Sequence, residues 1–441
     1  MDITRLTAAD TGRKLETGEI DARDLTEAYL AAIEGSDVAD LIYARTMADT
    51  ARVEADAAAD RAKRGLRRGP LDGVPISWKD LYDTAGVATE AGSKMLAGRT
   101  PTADAEVVRR GQRAGVVSLG KTHMTELAFS GLGLNPVTAT PPNVNNAALV
   151  PGGSSSGAAA SVAFGMAAAG IGSDTGGSVR IPSAWNDLVG LKTTWGLIPA
   201  DGVVLLCEKF DTIGPLCRSV EDAALTTAML AHGAAPDLSG ASIKGARLMV
   251  LETAALDEDC REAPRAAFEA AVDKLAAAGA VITRGEAPEV AEILSLAGPL
   301  VPSEAWALWG ETIEEKGDLM YRPVRERFAS GAGYSAADYI RAWNRLMAAR
   351  AGYLARVAGY DAVILPSAPI LPPDREALLA DDGFFMAENL LALKHTRIAN
   401  LLGLCSLTLP TETPMCGLML MGAPLEEAKL LRLGAAIEAL G

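Results

Sequence analysis

The residues of this chain best equipped for chemistry are serines set in two glycine-rich clusters. The first, Gly152-Gly153-Ser154-Ser155-Ser156-Gly157, runs into an Ala-rich stretch over residues 158–169. That stretch reads as a helix, because Ala is the strongest helix former and no Pro interrupts it. The second cluster, Asp174-Thr175-Gly176-Gly177-Ser178, follows a short apolar return through Ile171. A helix of about 13 residues rises roughly 20 Å, and an extended return of about six residues covers the same distance back. Ser154 and Ser178 are therefore expected side by side, on backbone that glycine leaves open to a ligand.

Two motifs offer competing chemistries. Gly153-Ser154-Ser155-Ser156-Gly157 fits GxSxG, the nucleophile elbow of a serine esterase, with Ser155 as nucleophile and His395 downstream in the order that fold wants. An elbow needs a strand feeding its first glycine, and Ala147-Ala148-Leu149-Val150-Pro151-Gly152 is a poor strand with Pro in the way. Gly115-Val116-Val117-Ser118-Leu119-Gly120-Lys121-Thr122 satisfies the P-loop pattern. A phosphate cradle needs a strand before the first glycine and a loop of free N–H groups after it. Here a helical pattern over residues 105–114 comes first and an apolar strand follows, so nucleotide binding is not expected.

The two serine clusters, preceded by Gly69-Pro70-Leu71-Asp72-Gly73-Val74-Pro75-Ile76-Ser77-Trp78-Lys79-Asp80, resemble the amidase signature family of serine amidohydrolases. Gly190-Leu191-Lys192-Thr193 and Thr212-Ile213-Gly214-Pro215-Leu216 continue the resemblance. It implies a catalytic triad of Lys79, Ser154 in a cis peptide, and the nucleophile Ser178. It further implies that Ser154 relays the proton of Ser178 to a neutral Lys79. The backbone N–H groups of Thr175, Gly176, Gly177 and Ser178 would then form an oxyanion hole. On its own, a Lys between Trp78 and Asp80 would read as a solvated surface residue. To act as a base it must be buried away from carboxylates, with Asp80 pointing elsewhere, since bringing its pKa from about 10.4 to near 7 costs roughly 4 to 5 kcal/mol. Asp174 and Arg180 read as braces of the turn, His123 as a structural residue, and Met124-Thr125-Glu126-Leu127-Ala128-Phe129 as a wall of the pocket.

The family includes A subunits of tRNA-dependent amidotransferases, in which an acidic residue grips the amino group of glutamine. Leu393 stands at that position, which favours a stand-alone amidohydrolase over a glutamine-using subunit. The substrate expected is a small-molecule amide of undetermined identity. No cofactor or metal is implied, and a homodimer is suggested by the resemblance alone.

Composition agrees with a large folded core: 49% of the residues are hydrophobic and 22% charged. A net charge of −15 argues against nucleic acid or an anionic membrane as partner. Five scattered cysteines in no CxxC pair are no disulfide framework, and three histidines in no metal spacing make zinc unlooked for. Met1-Asp2-Ile3-Thr4-Arg5 lacks a signal-peptide pattern, and no long apolar run is present, so a cytoplasmic location is expected.

These residues are to be positioned by one large α/β domain, a mixed multi-stranded sheet sandwiched between helices. Residues 1–68 form an N-terminal helical layer, 69–222 the signature core and 295–345 a variable, substrate-facing region. Helices are expected over 21–34, with Asp21 as N-cap, and over 44–63, with Glu54, Asp56, Asp60 and Arg61 in water. Ser219 caps another helix, Asp222 completing a capping box with a short acid. Strands are expected around 74–78, 246–251, 281–283 and 360–366, over Asn400-Leu401-Leu402-Gly403-Leu404 with Leu407-Thr408-Leu409-Pro410, and at 417–422. Of Trp306, Trp309, Tyr321, Phe328, Tyr334, Tyr339 and Trp343, most are read as core, with one or two lining a substrate funnel.

Overall fold

Eleven strands make the frame: β1 (Tyr43–Thr46), β2 (Pro75–Lys79), β3 (Val117–Thr122), β4 (Ala169–Asp174), β5 (Val189–Lys192), β6 (Thr212–Cys217), β7 (Arg247–Leu251), β8 (Val281–Gly285), β9 (Ala362–Pro366), β10 (Cys405–Pro410) and β11 (Gly417–Gly422). In the computed structural model, which describes residues 2–441, they form one sheet in the order β1-β3-β2-β4-β6-β5-β10-β11-β9-β7-β8. Met1, part of the N-terminal stretch read above, lies outside the described residues. The sheet is mixed: β2 runs parallel to β3 and β4, while β6 is antiparallel to β4 and β5.

Both faces of the sheet are buried, and strand periodicity shows it directly. Leu248 and Val250 of β7, Ile364 of β9 and Leu418 and Leu420 of β11 pack into one apolar cluster. Their neighbours Met249, Leu251, Val363, Leu365, Met419 and Met421 pack into the other. Successive side chains of a strand point to opposite faces, so two clusters divided this way require helices on both sides. The expected single α/β domain with a sandwiched mixed sheet is the fold observed.

One contact brings the first serine cluster onto the sheet. The helix Ser156–Ala163 lies directly on β2 and β4, where Ser77 Oγ is 2.8 Å from Ser161 Oγ. Gly170 pairs with Ser77, and a Cβ at Gly170 would sit 2.6 Å from the carbonyl oxygen of Ala158. Backbone touches backbone here because the strand presents no side chain.

Several local expectations are corrected. The Ala-rich helix stops at Ala163, because Gly165 takes a positive φ of 77° and the chain turns before β4 begins at Ala169. The helix expected over 44–63 starts at Ala48, its first residues having joined the sheet as β1. Glu54 turns inward and accepts the Ser118 N–H at 2.6 Å. Asn400-Leu401-Leu402 is no strand but the last turn of the helix Lys394–Leu402, closed by Gly403 at φ 72°. Ser219 does cap the helix Val220–Ala231, but Asp222 does not complete a box, since its Oδ1 accepts the N–H of Ala9 at 2.8 Å. Asp21 caps the helix Ala22–Glu34 as expected, accepting from the N–H of Arg23.

The close approach yields a prediction. Gly170→Ala should destabilise the chain by about 1 to 3 kcal/mol through overpacking. Gly233→Ala, where nothing lies within 4 Å of the new Cβ, should leave the denaturant midpoint nearly unmoved. Equal midpoints for both variants would show that the helix can retreat from the strand.

Candidate active site

β2 ends on Lys79, and its side chain is fully buried. Its polar neighbours are two hydroxyls: Nζ lies 2.7 Å from Ser154 Oγ and 2.8 Å from Ser173 Oγ. Burial is the dominant influence and brings the lysine pKa from 10.5 down to about 7, against an upward pull from Asp211 and Asp174. Asp80 does point elsewhere, pairing with Arg45 at 2.6 Å and Lys121 at 3.2 Å. The expectation of a site free of carboxylates needs amending, because Asp211 and Asp174 act on Lys79 from beyond hydrogen-bond contact. Ser173 was missed by sequence reasoning; its place as the next-to-last residue of β4, the strand parallel to β2, was the available signal.

Ser154 follows a cis Gly153–Ser154 peptide bond. Its carbonyl accepts the N–H of Thr125 at 3.1 Å, and the next residue, Ser155, donates its N–H to the carbonyl of Ser178 at 3.2 Å. The two clusters are thus adjacent, as the helix-and-return geometry required. Ser155 itself is spent on structure: Oγ donates to the Ser173 carbonyl at 3.2 Å and accepts the Ser173 N–H at 3.3 Å. Its proposed partner His395 is fully buried against the Pro366 carbonyl, 2.9 Å from Nδ1. No strand enters Gly152. The elbow geometry is absent.

The turn carrying Ser178 is braced by ions. Arg180 donates to Asp174 through Nε at 3.0 Å and through Nη2 at 2.9 Å, and also reaches the Thr396 carbonyl at 2.7 Å. Asn400 donates to Asp174 Oδ1 at 2.9 Å. Burial alone would raise the Asp174 pKa, but the Arg180 charge and hydrogen bonds hold it well below the usual carboxylate range. Asp174 also takes the N–H of Gly177 at 2.8 Å and of Val179 at 3.1 Å. The Gly177 amide, expected to serve an oxyanion hole, is therefore committed to a carboxylate. Thr175, Gly176 and Ser178 instead line a cavity of about 300 Å³. Thr175 Oγ1 donates to Asp211, a carboxyl that burial raises to about 6.

Ser178 opens onto this cavity, and among the described residues no hydrogen bond joins its hydroxyl to Ser154. Phe129, Val301, Leu390 and Leu393 supply apolar wall, and Arg327 and Arg397 supply charge. Ala128 and Phe129, from the segment expected as a pocket wall, are there. None of the seven aromatics named in residues 295–345 lines this cavity; Trp306, Tyr334 and Tyr339 line a separate one beside Glu304. Phe328 packs edge-on against Phe129 and Trp343 stacks on Phe210, so these two rings are consumed in packing. That region contributes Val301, Pro302 and Arg327 instead.

The P-loop pattern is occupied as secondary structure, with the helix Glu106–Ala114 before it and β3 within it, and Lys121 is buried beside Asp80. Among the described residues no group of three His, Cys, Asp or Glu side chains could hold a metal. Among the described residues no helix is long and apolar enough to cross a membrane.

Comparison with known proteins agrees with this geometry. The Amidase family model matches residues 24–431. A 2-amino-5-chloromuconic acid deaminase of Comamonas testosteroni is 37% identical, covering 89% of this chain and 87% of that protein. Glutamyl-tRNA(Gln) amidotransferase A subunits match as well, the one from Anaeromyxobacter dehalogenans being 32% identical over 99% of this chain and 96% of its own length. A crystal structure of an amidase superposes with a TM-score of 0.88 at 30% identity, covering 98% of this chain and 99% of that one. With the buried lysine, the adjoining serine clusters and a family match across most of its length, the chain belongs to the amidase family.

Proposed function

We propose that this amide hydrolase works through Ser178, Ser154 and Lys79. The observation that carries the assignment is the 2.7 Å approach of a buried amine with a pKa near 7 to the hydroxyl of Ser154. A base is most effective when its pKa lies near the working pH, and a hydroxyl that both donates and accepts can stand between base and nucleophile.

Ser178 Oγ attacks the amide carbonyl carbon as its proton passes to Ser154, whose own proton passes to Lys79. The carbonyl oxygen becomes an oxyanion, facing the N–H groups of Thr175, Gly176 and Ser178. Each such donor is worth about 3 to 4 kcal/mol to a transition state of this kind. As the tetrahedral intermediate collapses, the same relay run backward protonates the nitrogen, so ammonia or an amine leaves rather than an amide anion. Water then attacks the acyl ester of Ser178, giving its proton to the relay, and Ser178 is released with the free acid.

The cavity limits the substrate to a small molecule, being at the lower end of the roughly 300–1,000 Å³ usual for such sites. The curated relative acting on 2-amino-5-chloromuconic acid is consistent with a small substrate. Similarity to amidotransferase A subunits supports glutamine as a second reading. Against it, Leu393 is buried in the cavity wall and offers nothing to an ammonium group. All five cysteines are free and buried, which supports the cytoplasmic reading.

The roles assigned can be tested by substitution and by pH. Ser178→Ala should abolish release of ammonia from amides, whereas Ser155→Ala should retain it within about tenfold; a dead Ser155→Ala with normal folding would contradict the assignment. Since Lys79 must be neutral to act, kcat/KM should fall about tenfold per pH unit below pH near 7 and level off above it. Asp211 raises the lysine pKa, so Asp211→Asn should move this acid limb to lower pH. A shift to higher pH, or none, would show that another group controls the limb.

A further inference from the structure

The strongest feature the mechanism leaves unused is a pair of cations in the cavity wall. Arg327 comes from the helix Arg322–Ala329 and Arg397 from the helix Lys394–Leu402, and both border the space that holds Ser178. Two buried cations nearby each have a carboxylate: Arg180 has Asp174 at 2.9 Å and Lys121 has Asp80 at 3.2 Å. Arg327 and Arg397 do not. Arg327 gives one N–H to the Phe129 carbonyl at 2.8 Å and rests 4.2 Å from the centroid of the Phe129 ring. Arg397 Nη2 is buried with no hydrogen-bond partner. Burial and the like charge of Arg397 depress the Arg327 pKa, and burial alone depresses that of Arg397, with no carboxylate offsetting either.

A guanidinium stays charged in a protein, so the chain holds two positive charges close together at an apolar wall without a counter-ion. Both side chains are half-buried, with Arg397 Nη2 cut off from solvent; charge held partly out of water without a counter-ion is unfavourable, and this is relieved when an anion enters. Arg presents a planar fork of donors that matches a carboxylate bidentately. We propose that Arg327 and Arg397 bind a free carboxylate of the substrate, so that the amide cleaved at Ser178 belongs to a molecule carrying a second acid group. This rests on the assignment of Ser178 as nucleophile and adds the class of substrate to it.

The rest of the wall narrows the class further. Glu326 is the one acid in the lining, and its carboxylate lies 3.6 Å from Arg322, with its side chain 58% exposed. Leu393 is apolar. A carboxylate with an ammonium group beside it, as in an α-amino acid, finds a partner for the first and none inside the cavity for the second. The occupant is the monoamide of a short dicarboxylic acid rather than glutamine.

The test compares monoamides of four- to six-carbon dicarboxylic acids with the same molecules as methyl esters at the far carboxyl. The wild type should prefer the acids by about 10²-fold in kcat/KM, since truncating one partner of a buried hydrogen-bonded charge pair costs that much or more. Arg397→Gln should lower this acid-to-ester ratio by about 10²-fold. A ratio near one in the wild type, or one unchanged by Arg397→Gln, would overturn the proposal. Thermal unfolding without substrate supplies a readout that a merely structural arginine would not give. Removing an unpaired, half-buried cation should raise Tm by about 2 °C, and a lowered Tm would assign Arg397 to packing.

Ser178→Ala separates the two levels of the account. If acid amides are still cleaved by that variant, the nucleophile assignment fails. If cleavage requires Ser178 but shows no preference for acids, only the carboxylate site fails. Calorimetric binding of the monoamides to Ser178→Ala decides the matter without turnover: binding must weaken about 10²-fold when Arg397→Gln is added. Equal binding, or no binding of any member to Ser178→Ala, overturns the site.

Discussion

The site depends on keeping one amine out of water. Bringing Lys79 from an ordinary lysine pKa of 10.5 to about 7 represents roughly 5 kcal/mol of differential solvation between its charged and neutral forms. The chain holds three fully buried lysines, and their surroundings differ in a way that assigns their roles. Lys121 has the carboxylate of Asp80, and Lys192 donates to the carbonyls of Thr193 and Leu404. Lys79 has only two hydroxyls within reach. Hydroxyls accept hydrogen bonds from an ammonium and donate them to an amine, so they tolerate both protonation states and hold neither fast.

Keeping that environment dry takes most of the sheet. β2 carries Lys79 in the interior, between β3 and β4, and the helix Ser156–Ala163 lies on its face because Gly170 leaves room for Ala158. The turn ahead of Ser178 is held from the far end of the chain. Arg180 reaches Thr396, and Asn400 reaches Asp174, so the helix Lys394–Leu402 is both a brace for the turn that carries Ser178 and, through Arg397 and its N-cap Leu393, part of the cavity. One helix thereby couples the position of Ser178 to the wall of the cavity it faces.

What could be read from the sequence was what short-range chemistry determines. Ser154 and Ser178 stood in glycine-rich clusters whose spacing put them side by side, whereas Lys79 was singled out by the family resemblance and not by its local setting; the structure brings Lys79 and Ser154 into contact. The ends of elements were harder. Ala propensity carried the helix past Gly165, where the need to re-enter the sheet won, and Asn400 sits in a stretch whose apolar run fits helix or strand equally well. Long-range partners were out of reach altogether. That Gly177 gives its amide to Asp174 rather than to a ligand, that Ser173 touches Lys79, and that Arg327 and Arg397 meet in one wall are facts of packing. Residues 327 and 397 carry no signal of each other along the chain. Aromatic enrichment in residues 295–345 pointed to that region but not to Val301 and Arg327, which line the cavity holding Ser178 while Trp306, Tyr334 and Tyr339 line a separate one.

The central claim is that Lys79 is a neutral amine at working pH, and it can be measured without turnover. The protein labelled with ¹³C at lysine Cε should show, on pH titration by NMR, a resonance with a midpoint near 7 that is missing from Lys79→Met. A Lys79 resonance that titrates only near the ordinary value of about 10.4 would mean that the lysine is charged when the enzyme works, and that Ser154 must hand its proton elsewhere.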